Sequence, residues 1–184
     1  MRVVRAAILV VMTIGATSGT AYAQLTGTLG AELDLTTACT LSGESETTGV
    51  DFGLLDFGTQ PATFVGLLQA QAAGTGGNTE ILCSADVTGV TITVDGGGNG
   101  GQGTAIGDGS RALTDGEGNF VPYEVYSTSG TTSPYPSNGS GVSVTIATPG
   151  EPFVLPIFGR VNKTSPNALA AGNYTDTLQV TIEF

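Results

Sequence analysis

From Gln24 to Thr36 the sequence QLTGTLGAELDLT alternates: Leu25, Gly27, Leu29, Ala31, Leu33 and Leu35 fall on one face, and Thr26, Thr28, Gly30, Glu32, Asp34 and Thr36 fall on the other. A period of two marks a strand with one buried face, because successive side chains leave a pleated backbone on opposite sides. At a rise of about 3.3 Å per residue this stretch would reach roughly 40 Å, against a usual strand of about five or six residues. A strand of that length raises the question of whose core its leucine row fills.

The same period recurs along the chain, at Val90, Ile92 and Val94, at Val121, Tyr123 and Val125, at Val142, Val144 and Ile146, and at Leu178, Val180, Ile182 and Phe184. Apolar residues do not recur every three or four positions, and 29 of 184 residues are glycine, which disfavours helix. The chain is therefore expected to be all-β. Phe64–Ala73 (FVGLLQAQAA) is the exception, readable as a short helical turn or as a strand. Cys39–Leu41 opens the domain's own strands, with a polar turn expected over Ser42–Gly49. Thr79–Ser84 and Val90–Val94 read as a hairpin turning at Thr88–Gly89, and Phe153–Val161 reads as a central strand with Pro156 at a bulge or edge. About seven short strands with frequent turns make an immunoglobulin-like sandwich the leading architecture; periodicity leaves a jelly roll open and does not give the strand order.

Residues 1–23 have the layout of an export signal: Arg2 and Arg5, an apolar run from Ala6 to Ile14, and a small-x-small site at Ala21-Tyr22-Ala23. Cleavage there would leave 184 less 23, or 161 residues, enough for one domain. Of 5 basic and 16 acidic residues, the signal removes two basic ones, leaving three against sixteen and a net charge of −13. With only Arg111, Arg160 and Lys163 remaining, nucleic acid is not an expected partner. Two cysteines in an exported chain, Cys39 and Cys83, are expected to form one disulfide. Closing that loop would stabilise the fold by roughly 4 kcal/mol in the chain-entropy picture.

Chemistry finds little to work with. There is no histidine, no Gly-x-Ser-x-Gly and no metal-ligand cluster, so no catalytic residue, metal or cofactor is expected. Asp51 and Asp56 would be a paired acid and base only with a third group to orient substrate, and none is evident. In Asp51–Gly58 (DFGLLDFG) the repeated Asp-Phe-Gly instead suits aromatic anchors beside tight bends. The glycine-rich run Gly96–Gly109 lacks the Gly-Lys-Ser/Thr ending of a phosphate-binding loop and the repeated acidic spacing of a calcium repeat, and reads as a low-order loop.

Five segments then resemble one family in the right order: DFGLLDFG (51–58), TGVTITVDGGGNG (88–100), VPYEVY (121–126), LPIFGRV (155–161) and AGNYTDTLQVTIEF (171–184). Together they are similar to the spore coat protein U family, which includes pilin subunits of archaic, Csu-type chaperone-usher pili; the Gly-x-Tyr-x-Asp-Thr run at Gly172–Thr177 is the most specific part. The resemblance implies an incomplete immunoglobulin-like β-sandwich that lacks its last strand. Its groove would be filled first by a periplasmic chaperone and then, at an outer-membrane usher, by a donor strand from another subunit.

On that reading residues 24–36 are the donor strand, with Leu25, Gly27, Leu29, Ala31, Leu33 and Leu35 as its inserting row and Leu29 and Leu33 in the deepest positions. Residues 37–184 are the sandwich domain, and Leu178, Val180, Ile182 and Phe184, on the strand that closes the sequence, edge the groove. The expected function is a structural subunit of a secreted surface polymer supporting adhesion or biofilm formation, carried through the periplasm to the cell surface. The alternative is a stand-alone secreted binding module or adhesin domain, in which Leu25–Leu35 is the first strand of a closed sandwich. The absence of tryptophan and the insertion near Gly96–Gly109 depart from some family members.

Overall fold

A computed structural model of the chain describes residues 24–41, 49–74 and 77–184, so the export signal expected over 1–23 and most of the turn expected over Ser42–Gly49 lie outside the described residues. The chain divides into two units, Met1–Leu35 and Thr36–Phe184. The second holds every strand: β1 (Cys39–Leu41), β2 (Gly66–Gln71), β3 (Ala73–Gly74), β4 (Gly77–Asn78), β5 (Glu80–Cys83), β6 (Gly89–Val94), β7 (Gly107–Asp108), β8 (Arg111–Thr114), β9 (Phe120–Tyr126), β10 (Val142–Thr145), β11 (Phe153–Val154), β12 (Phe158–Lys163) and β13 (Val180–Glu183). No helix occurs among the described residues, so the chain is all-β. Phe64–Ala73 resolves to strand, with Leu68 turned inward and Leu67 outward.

All ladders are antiparallel. One sheet has the order β2-β12-β9-β8, with β7 also on β12; a second has β10-β6-β13; a third has β1-β5-β11; β3 and β4 form a small hairpin. Val90, Ile92 and Val94 of β6 and Val121, Tyr123 and Val125 of β9 share one core cluster with Val161 of β12, all nearly or fully buried. Sheets whose inward rows interdigitate in this way form a β-sandwich. Tyr174 adds a second mark of the immunoglobulin-like class: its hydroxyl donates to the Ala170 carbonyl four residues upstream at 3.0 Å, just before the closing strand, in the manner of a tyrosine corner.

Two local expectations are corrected. β5 and β6 do not form a hairpin, because β5 pairs with β1 and β11 whereas β6 pairs with β10 and β13. Val87 is buried where the chain passes between the sheets, its N–H donating to the Ser84 carbonyl at 3.0 Å, and the turn falls at Ala85–Asp86 rather than Thr88–Gly89. Phe153–Val161 is likewise not one strand. It starts as β11 beside β5 and, beyond Pro156, continues as β12 beside β2 and β9, with Leu155 and Ile157 buried at the change of sheet. Proline cannot donate to a ladder, which suits the break to that position.

Candidate assembly groove

β13 is hydrogen-bonded on one side. Its register with β6 sets Val180 opposite Val94, Thr181 opposite Thr93 and Ile182 opposite Ile92. One step earlier, the Asp95 N–H donates to the Gln179 carbonyl at 3.0 Å. Backbone groups on an antiparallel strand alternate between its two edges, so Gln179, Thr181 and Glu183 face β6, while Val180 and Ile182 present N–H and C=O to the other edge. Among the described residues no strand pairs with that edge. The side chains of Leu178, Val180 and Ile182 are half-buried against the core, and Phe184 is exposed.

Beside this edge lies a groove of ≈ 1540 Å³, lined by Leu178, Val180, Ile182 and Phe184, by Phe52, Leu55 and Phe57, and by core residues such as Tyr123, Ile157 and Val161. The two Asp-Phe-Gly repeats build part of its lining in the same way. Asp51 Oδ1 accepts the Gly53 N–H at 2.9 Å and Asp56 Oδ1 accepts the Gly58 N–H at 2.8 Å. Both glycines take positive φ, 91° and 73°. These are Asx turns, in which the carboxylate holds its own backbone two residues on, and they turn the Phe52 and Phe57 rings toward the core. The aspartates thus have a structural task. Phe57 meets Tyr123 edge-on, ring centroids 6.0 Å apart.

Gly159 of β12 makes room for that ring. A Cβ there would lie 2.7 Å from Phe57 Cζ and 3.1 Å from Leu55 Cδ1. Gly159→Ala is expected to drive the ring toward the groove, costing about 1–3 kcal/mol as an overpacked site. A lowered denaturation midpoint and a weaker joint with any strand entering the groove are the readouts.

The Gly172–Thr177 run ends on a tie between layers. Asp176 Oδ2 accepts the Tyr123 hydroxyl at 2.9 Å, and its Oδ1 accepts the Gly98 N–H at 3.0 Å. Burial pushes the Tyr123 pKa up and the neighbouring Asp176 carboxylate adds to the shift, so the hydroxyl remains a donor across the physiological range. The glycine-rich loop is thereby tied at Gly98 to the segment that leads into β13.

All three basic residues beyond the signal turn to internal partners. Arg111 is fully buried, donating from Nε to the Asp95 carbonyl at 2.7 Å, from Nη2 to the carbonyls of Val94 at 2.9 Å and Tyr135 at 3.1 Å, and from Nη1 to Glu124. Burial pushes its pKa down, with Glu124 opposing the shift. Lys163 is also fully buried, its Nζ donating to the carbonyls of Ser165 and Asn167 and lying 5.6 Å from the Phe64 ring centroid. Arg160 stacks 4.9 Å from the centre of Tyr126.

Cys39 and Cys83 are bonded to each other, opposite one another in the β1–β5 ladder. Described by itself, Gln24–Leu35 contains no strand, and its leucine row is exposed: Leu25 101%, Leu29 98%, Leu33 79% and Leu35 85%. Gly27 and Ala31 in the same row are exposed as well. Among the described residues no group of three or more carboxylate, thiol or imidazole side chains is placed to hold a metal ion.

The family model of the Spore Coat Protein U domain matches residues 25–181. The chain belongs to that family. The match takes in both the alternating segment and the Gly172–Thr177 run whose aspartate ties the Spore Coat Protein U sandwich together. Among solved structures the chain is similar to one from a chaperone–tip adhesion subunit pre-assembly complex of the archaic chaperone-usher Csu pili of Acinetobacter baumannii, at 19% identity and a TM-score of 0.43, over 81% of this chain and 40% of that chain. The chain thus spans well under two thirds of the length of that relative. No curated protein matches the sequence.

Proposed function

We propose that the protein is a structural subunit of a secreted surface polymer, an archaic chaperone-usher pilus or spore-coat-like assembly, built by donor-strand exchange. The observation that carries this reading is the open edge of β13 above an apolar groove, in a chain that also holds an exposed alternating leucine row. Residues 24–36 of one subunit supply the strand that β13 of the next one lacks, with Leu25, Gly27, Leu29, Ala31, Leu33 and Leu35 facing its core. Four leucines entering a preformed groove contribute on the order of 6–12 kcal/mol before ordering costs, at about 1.5–3 kcal/mol each, and backbone hydrogen bonds along Val180 and Ile182 add to that. Leu29 and Leu33 occupy the deepest positions, and Gly27 and Ala31 fit where the groove is shallow. Membership of the Spore Coat Protein U family supports the same reading.

An open edge over an apolar groove invites aggregation, so a periplasmic chaperone covers it in transit and an outer-membrane usher exchanges that cover for the next subunit. The polymer then stands at the cell surface, where it supports adhesion or biofilm formation. Its role is structural, not catalytic. In a closed binding module the leucine row would instead be the first strand of its own sandwich. Mature chain made without a chaperone is expected to aggregate, and a copy of residues 24–36 joined beyond Phe184 is expected to rescue it as a soluble monomer. A soluble monomer without the added strand would contradict the proposal.

A further inference from the structure

We propose that the Cys39–Cys83 disulfide is a tension anchor, carrying pull on the N-terminal arm past the weak strand β1 and into β5; this rests on the donor-strand reading above. The arm's leucine row ends at Leu35, four residues before Cys39. Its root is stitched by side chains: Thr37 Oγ1 donates to Asp86 Oδ2 at 2.6 Å, the Ala38 N–H to Ser84 Oγ at 2.8 Å, and the Ser84 N–H to the Ala38 carbonyl at 2.9 Å. The strand that follows is only three residues long, with three pairs to β5: Cys39 with Cys83, Thr40 with Leu82 and Leu41 with Ile81. Past it, the next ties among the described residues are the Phe52 carbonyl, held by Thr79 Oγ1, and the bridge between Leu54 and Ala73.

A pull on the arm reaches the first pair of this ladder first. Hydrogen bonds loaded from one end fail in turn, so a three-pair ladder would give way before a donor strand buried along a dozen residues. The only covalent crosslink of the chain sits on that first pair. It delivers the pull to Cys83, which is buried in β5, the strand flanked by both β1 and β11. The placement matters twice, because Cys39 and Leu41 also line the groove. Peeling β1 would strip lining from the groove that holds the next arm, so one failing root would loosen the adjacent joint.

The test stretches assembled fibres of the full chain in an optical trap, before and after a small phosphine reductant, with thiol labelling to verify reduction. Oxidised fibres are expected to extend without subunit steps until a joint releases. Reduced fibres are expected to lengthen at lower force in steps of up to about 50 Å, the reach of the 15 residues from Cys39 to Gly53 at roughly 3.4 Å each. Fibres assembled from the Cys39→Ser, Cys83→Ser double variant should repeat those steps without reductant, excluding an effect of the reagent elsewhere. Identical force–extension curves for oxidised, verified-reduced and double-variant fibres overturn the anchor and leave the donor-strand reading standing. Fibres that form equally well without residues 24–34 overturn both.

Discussion

Removing Gln24–Asp34 is expected to abolish polymerisation while leaving the sandwich intact. The truncated chain keeps the open edge of β13 and the groove lined by Phe52, Leu55 and Phe57, and so keeps the surface a chaperone would cover. It loses Leu25, Leu29 and Leu33, three of the four leucines in the proposed donor row. At about 1.5–3 kcal/mol each, their loss removes on the order of 5–9 kcal/mol from every joint, more than three decades in its equilibrium constant. Unheated denaturing gels should lose their ladder of multimers, whereas co-purification with the chaperone should persist. A ladder of unchanged length from the truncated chain would show that another segment makes the joint.

The second large effect lies in the core. Arg111→Met should destabilise the domain by about 3–5 kcal/mol, the usual result of removing one partner from a buried ion pair. The guanidinium joins β8 to Glu124 of β9 and, across the sandwich, to the carbonyls at the end of β6 and to Tyr135. Methionine fills much of the volume but takes the guanidinium donors from three carbonyls and the cationic partner from Glu124, which keeps only its bonds from Ser110 and Val125. Since whole domains are stable by only about 5–15 kcal/mol, this is a large fraction. The measurement is the denaturant midpoint of a monomer closed by an added strand beyond Phe184. Arg111→Met with Glu124→Gln should recover part of the loss, and a single-variant change below about 1 kcal/mol would mean the Arg111 guanidinium is not what holds the layers together.

How far the sequence discloses this fold depends on whether a residue's task is written in its neighbours. Val90–Val94 and Leu178–Ile182 lie where their period of two puts them, because a strand facing one core cannot change phase without turning its apolar row to water. Phe64–Ala73 was ambiguous because Leu67 and Leu68 are adjacent; only the sheet decides that Leu68 points inward. Phe153–Val161 reads as one strand because both of its faces are buried, yet that burial comes from passing between two sheets. Arg111 carries no local signal at all: a lone arginine beside a glycine-rich loop reads as surface, and its partners at Asp95, Glu124 and Tyr135 meet only in the folded chain. The Asp-Phe-Gly repeats show the opposite case. Their chemistry acts over two residues, so the bends at Gly53 and Gly58 and the inward rings were legible from composition and spacing.

The open edge of β13 and the exposed leucine row of Gln24–Leu35 are the two features the functional account joins, and a helical reconstruction of the assembled fibre by electron cryomicroscopy tests that union most directly. The account predicts continuous density for Leu25–Leu35 of one subunit beside Val180–Glu183 of the next, with the leucine side chains turned into the groove of the neighbour. A groove closed by a strand of its own subunit, or left without a strand while subunits touch elsewhere, would contradict it.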